Sequence, residues 1–124
     1  MIVGVGIDIL DIRRIDDLLN KFSPRFEQKY FTIAEREFCN KRVNYASSFA
    51  KIFSIKEAVI KAIKDKRNLT WHGIEVFHDK FGAPNINVTR GKYLSEEYNF
   101  HVSTSDEYPY VVSYAVLEKI SEKT

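Results

Sequence analysis

The sequence predicts an α+β fold: a mainly antiparallel sheet packed on one long core helix. Three observations lead there. Residues 46–64 contain no Gly or Pro and are apolar nearly all round, as a helix buried in a core is. Four segments with strand character follow, and these include hairpins. Helices and strands are mixed along the chain without any repeat of 20–50 residues or any low-complexity linker. With 124 residues, the chain fits one domain, 1–124, long enough to bury a core without disulfide or metal staples. Hydrophobic residues make up 44% and aromatics 14%, which excludes a disordered chain.

The elements follow in order. IVGVGIDI reads as a strand with Val3, Val5 and Ile7 on one face and Gly4, Gly6 and Asp8 on the other. The glycine face is bare, so another backbone or a ligand can come close, and Asp8 stands at its end. DIRRIDDLLNKF reads as a helix with the apolar stripe Ile12, Ile15, Leu19 and Phe22. SPRFEQKY reads as a short helix with Ser23 as cap and Pro24 at its first position. TIAEREFC opens on Thr32 with Glu35 three residues on, the spacing of a capping box.

In the long helix, Ala46, Phe49, Ala50, Phe53 and Ile60 share one side. Ile52, Val59 and Ile63 widen that arc, and Ile55, Ala58 and Ala62 fill much of the back. GIEVFHD and PNINVT read as strands joined by KFGAP, a turn with Gly82 and Pro84. RGKYLSEEYN reads as a short helix. FHVSTSDEYPYVVSYAVLE reads as two strands with a turn at 107–109.

Charge and cysteine usage narrow the function classes. A net charge of +2, from 19 basic and 17 acidic residues, is too balanced to imply nucleic acid as a partner. The N-terminus has neither a basic signal-peptide start nor a membrane span, so no membrane partner is expected. Cys39 is the one cysteine and has no base marked beside it; it reads as a buried structural thiol in a reducing, cytoplasmic setting.

The residues able to do chemistry are few. Glu57 lies at the edge of the apolar arc with Lys61 one turn on. The pair reads either as an ordinary helix salt bridge or as a carboxylate held for a metal or a proton. Asp8 reads either as a turn cap or, with Glu57, as one of two hard oxygen ligands, a set that suits Mg²⁺ completed by phosphate and water. His101 alternates with Ser103 and Ser105 on one strand face, which suits a structural role or the wall of a phosphate or ribose pocket. His72 and His78 have no metal-ligand spacing with Cys39, and no P-loop or nucleophile elbow is present.

Three segments together resemble the holo-[acyl-carrier-protein] synthase family, the small 4′-phosphopantetheinyl transferases. They are GIDILDIRRI, FAKIFSIKEAVIKA and HVSTSDE followed by YAVLE, with FTIAERE and IEVFHDKFGAP in supporting order. The resemblance implies that family's fold and an enzyme that moves phosphopantetheine from coenzyme A to a serine of acyl carrier protein. It also implies Mg²⁺ and a homotrimer with active sites between subunits. Carried over by position, Asp8 and Glu57 would hold the metal, and Glu57 would help deprotonate the serine. Lys61 would contact the pyrophosphate, and His101 would lie near the nucleotide of coenzyme A. Arg14, Lys21 and Arg25, with Arg13 at their flank, would dock the carrier protein. Glu35 fits the family's F-T-x-x-E pattern, where a capping role suffices. The sequence departs from the family's pattern at Ile52, where an Arg is usual, and after Ala62, where IKDKRN replaces a Gly-Thr-Gly turn.

Overall fold

A computed structural model describes residues 1–120. Its elements are β1 (Ile2–Asp11), α1 (Ile12–Phe22), α2 (Arg25–Tyr30), α3 (Ile33–Asn40), α4 (Tyr45–Ala62), β2 (Ile74–His78), β3 (Pro84–Val88), β4 (Tyr98–Glu107) and β5 (Tyr110–Lys119). The strands form an antiparallel three-stranded sheet, in the order β1-β5-β4, and a separate β2–β3 hairpin. The α+β architecture read from the sequence is the one observed.

The bare glycine face of β1 has a structural use. A Cβ at Gly4 would collide with the carbonyl oxygen of Ala62, and one at Gly6 with that of Ala58. The glycines let the backbone of α4 lie directly on the sheet. Asp8 follows on the same face, and Leu10, 4% exposed, closes it against the core. Phe49, Ala50, Ile52, Ile55, Ala58, Val59 and Ala62 are buried on several sides of α4, so the helix is the centre of the core rather than a cover for it. On the N-terminal side, Ile12, Ile15 and Leu19 of α1 join that core. Rings of Phe26, Tyr30, Phe31, Phe49, Phe53 and Trp71 pack at centroid separations of 4.9–6.2 Å around the first turns of α4.

Three expectations need correction. Ser23 does not cap α2: its hydroxyl donates to the Glu27 carboxylate, Pro24 occupies the cap position without a side-chain bond, and the helix starts at Arg25. The long helix stops at Ala62, two residues early, where Ile63 turns to extended backbone. Residues 90–99 are not a helix. Gly91 has φ +92°, and Ser95 is drawn to the end of β3, donating its amide to the Val88 carbonyl and accepting the Val88 amide on its hydroxyl at 2.7 Å. Tertiary pairing with β3 overrides a weak local preference there.

Candidate active site

The edge of α4 that faces the end of β1 carries Glu57 and Lys61. Lys61 Nζ donates to Asp8 Oδ1 and to the Ile7 carbonyl, each at 3.1 Å. Its own side chain is 51% exposed while that of Asp8 is 11% exposed, so the cation reaches inward from solvent to a sheltered carboxylate. The other oxygen of Asp8, Oδ2, is buried and has no hydrogen-bond partner. Glu57 is half-buried. Burial first, and then the negative charge of Asp8, push its carboxyl above the ordinary glutamate range, with Lys61 and Arg14 pulling the other way. Residues 8 and 57, far apart in the chain, are thus close enough for their charges to oppose each other.

An orphaned buried carboxylate oxygen beside a second, repelled carboxylate is an unfavourable arrangement for the protein alone. A hard divalent cation relieves both costs, so the residues fit Mg²⁺. No group of three or more His, Cys, Asp or Glu that could hold a metal occurs among the described residues, so substrate oxygens and water would complete the shell.

The other predicted positions lie around this edge or away from it. Arg14, Lys21 and Arg25 are exposed on α1 and α2, and Arg14 is near enough to Glu57 to affect its charge. Arg13 is bound instead to Asp11, the N-cap of α1, at 2.7 Å. His101 is not brought to Asp8. It stands on the opposite, outer face of the sheet with Ser103 and Ser105, its Nε2 3.0 Å from Glu118 Oε1. Beside it run the exposed Val5, Ile7 and Ile9 of β1 and Tyr110, Val112 and Tyr114 of β5.

The departures are visible too. Ile52, 1% exposed, contributes to the wall of an open cleft of about 1080 Å³ with Arg42, Lys51 and Lys80 nearby. Neither Asp8 nor Glu57 borders this cleft. After Ala62 the turn closes without glycine: Asn68 takes φ +60°, a conformation Asn tolerates, and Asp65 binds Arg67 at 2.6 Å. Lys66 Nζ donates to the Ile63 carbonyl, and Lys64 is exposed.

Sequence reasoning missed Lys56. This side chain is fully buried, and its Nζ donates to Glu35 Oε1 at 2.7 Å and to the Tyr30 carbonyl at 2.8 Å. Burial lowers its pKa, and the Glu35 carboxylate opposes that shift. The capping box of Thr32 and Glu35 is present, but Glu35 does more than cap: its Oε2 also accepts the Val76 amide at 2.8 Å. The available signal was a lysine flanked by Ile52, Ile55, Val59 and Ile60, off the Glu57–Lys61 edge of the helix. Cys39 is fully buried, as read, and burial with the nearby Glu35 charge raises its thiol to about 12, leaving it inert. The hydroxyl of Ser54 is also buried without a partner.

Residues 4–115 match the 4′-phosphopantetheinyl transferase superfamily. The chain is 38% identical over 128 residues to the holo-[acyl-carrier-protein] synthase of Paramagnetospirillum magneticum, covering 95% of this chain and 97% of that one. It is 34% identical over 130 residues to that of Methylorubrum populi, covering 97% and 96%. Among solved structures, the Bacillus anthracis holo-(acyl-carrier-protein) synthase in complex with CoA (3′,5′-ADP) superposes with a TM-score of 0.82 at 31% identity, covering 97% of this chain and 99% of that one. The Neisseria meningitidis enzyme superposes with a TM-score of 0.81 at 30% identity, covering 96% and 100%. This chain belongs to the holo-[acyl-carrier-protein] synthase family of the 4′-phosphopantetheinyl transferase superfamily.

Proposed function

We propose that the protein transfers 4′-phosphopantetheine from coenzyme A to a serine of apo acyl carrier protein with Mg²⁺. The observation that carries this reading is the convergence of Asp8, Glu57 and Lys61 at one edge of α4, with one Asp8 oxygen buried and unpaired. Asp8 and Glu57 would hold the metal, which would supply neutralisation of charge on the diphosphate and its leaving group. Lys61, solvent-facing and next to them, takes a diphosphate oxygen. Glu57 accepts the serine proton, directly or through a water. The serine oxygen forms a bond to the phosphopantetheine phosphorus. The bond to the bridging oxygen breaks, and adenosine 3′,5′-bisphosphate leaves with the electron pair.

Arg14, Lys21 and Arg25 are exposed basic residues of α1 and α2, with Arg14 near Glu57, and they suit an acidic carrier surface, setting encounter rate and orientation. The apolar outer face of the sheet, with Val5, Ile7 and Ile9 each about two-thirds exposed, supports assembly into a homotrimer. His101 lies on that face, so it serves the nucleotide of coenzyme A across a subunit boundary. A free buried thiol and the absence of any membrane-length apolar helix among the described residues are in keeping with a cytoplasmic setting.

The test is incubation with coenzyme A, Mg²⁺ and apo carrier, read by mass spectrometry. The expected result is gain of one phosphopantetheine on the carrier. Coenzyme A binding without transfer would point to a binding module, and phosphate release from coenzyme A without carrier to a phosphohydrolase.

A further inference from the structure

We propose that Lys56, with Glu35, is the positioning residue that sets the register of α4 and so aims Glu57 and Lys61 at Asp8. The inference rests on the transferase reading above and adds to it a group that touches neither substrate nor metal.

The pair is nearly saturated. The Lys56 ammonium spends two of its three donors on Glu35 Oε1 at 2.7 Å and the Tyr30 carbonyl at 2.8 Å, and it lies 5.7 Å from the centroid of the Phe31 ring. Glu35 Oε1 accepts from the Thr32 amide at 2.8 Å, and Oε2 from the Val76 amide at 2.8 Å. Both side chains are 0% exposed. One buried charge pair therefore ties together the last carbonyl of α2, the cap of α3, the middle of α4 and strand β2. Charge-assisted bonds with fixed geometry resist sliding and rotation, whereas the apolar contacts around the rest of α4 are non-directional.

Position matters here because Glu57 is the next residue and Lys61 lies little more than a turn beyond. The opposite side of α4 rides on Gly4 and Gly6, a track without side chains to stop a slide. The glycine track sets how close the helix lies to the sheet; the Lys56–Glu35 pair sets where along that track it stops. A displacement of about 1 Å at reacting groups costs on the order of a hundredfold in rate.

The experiment compares wild type, Lys56→Met and Lys56→Met/Glu35→Gln in melting temperature, kcat, KM for coenzyme A, and Mn²⁺ affinity by electron paramagnetic resonance with coenzyme A and no carrier. The double variant removes the unpaired buried charge that the single one leaves, so its melting temperature recovers toward wild type. If the pair positions the site, kcat of the double variant stays about 10- to 100-fold low. Mn²⁺ binds correspondingly weaker, while KM for coenzyme A stays within about twofold. Wild-type kcat and Mn²⁺ affinity in the double variant overturn the proposal and leave the pair purely architectural. If that variant does not fold, Glu35→Asp serves, since it keeps both charges and shortens the reach by one methylene. Its kcat falls about tenfold if the proposal holds, and an unchanged kcat overturns it. If wild type itself fails to modify the carrier, the transferase reading falls and this inference with it.

Discussion

Lys56 and Lys61 leave the same helix within two turns of each other, and each meets a carboxylate at hydrogen-bond distance. Lys56 and Glu35 are both wholly buried, 2.7 Å apart, with two lysine donors used and both carboxylate oxygens bonded. Lys61 is half exposed at 3.1 Å from Asp8, and one Asp8 oxygen is left buried and unpaired beside the repelled Glu57. A saturated pair has nothing left to offer a ligand and holds the fold together. An unsaturated pair open on one side keeps coordination sites and a mobile cation free, which is what a metal and a diphosphate need. The identity of the residues does not separate structure from function on this helix; the degree of satisfaction does.

The comparison breaks most severely at Glu57. Glu57→Gln should lower the transfer rate by about 10³-fold, near 4 kcal/mol of barrier, with the fold intact by circular dichroism. A variant that turns over like wild type would make Glu57 an ordinary helix carboxylate. The two lysines should then invert each other. Lys56→Met should cost about 3–5 kcal/mol of stability in chemical denaturation, because it strands a buried carboxylate. Lys61→Met should cost less stability than Lys56→Met, because its cation is half exposed, yet slow transfer about 10²-fold. Equal stability losses for the two would erase the distinction.

The smallest effect concerns pH in metal-free protein. The Glu57 carboxyl is raised in the folded state, so its charging opposes folding. Its contribution to stability is present below the ordinary glutamate range and is lost as pH rises through the raised value. Thermal melts with chelator should show that decline, and both Glu57→Gln and added Mg²⁺ should flatten it. A decline that Glu57→Gln leaves in place would assign it to another group.

Much of the fold was legible because local rules and tertiary packing agree. The Thr32–Glu35 capping box, the KFGAP turn and the largely apolar long helix each follow from spacing alone and are observed, the helix two residues shorter at its end. The segment 90–99 misled because its helix-like composition lost to the pairing of Ser95 with Val88, a contact no local window contains. Glu35 was legible as a cap and illegible as an ion-pair partner, since Lys56 lies 21 residues away.

By itself, the sequence determined most of the elements, the bare face of β1 and the candidates Asp8, Glu57 and Lys61, because periodicity and capping are short-range properties. Only the tertiary structure decided that Asp8 meets the Glu57 edge, that its second oxygen is orphaned, and that His101 faces away. Those outcomes depend on how close a helix backbone sits on two glycines and on which strands pair, and desolvation and charge repulsion exist only once distant segments are in contact.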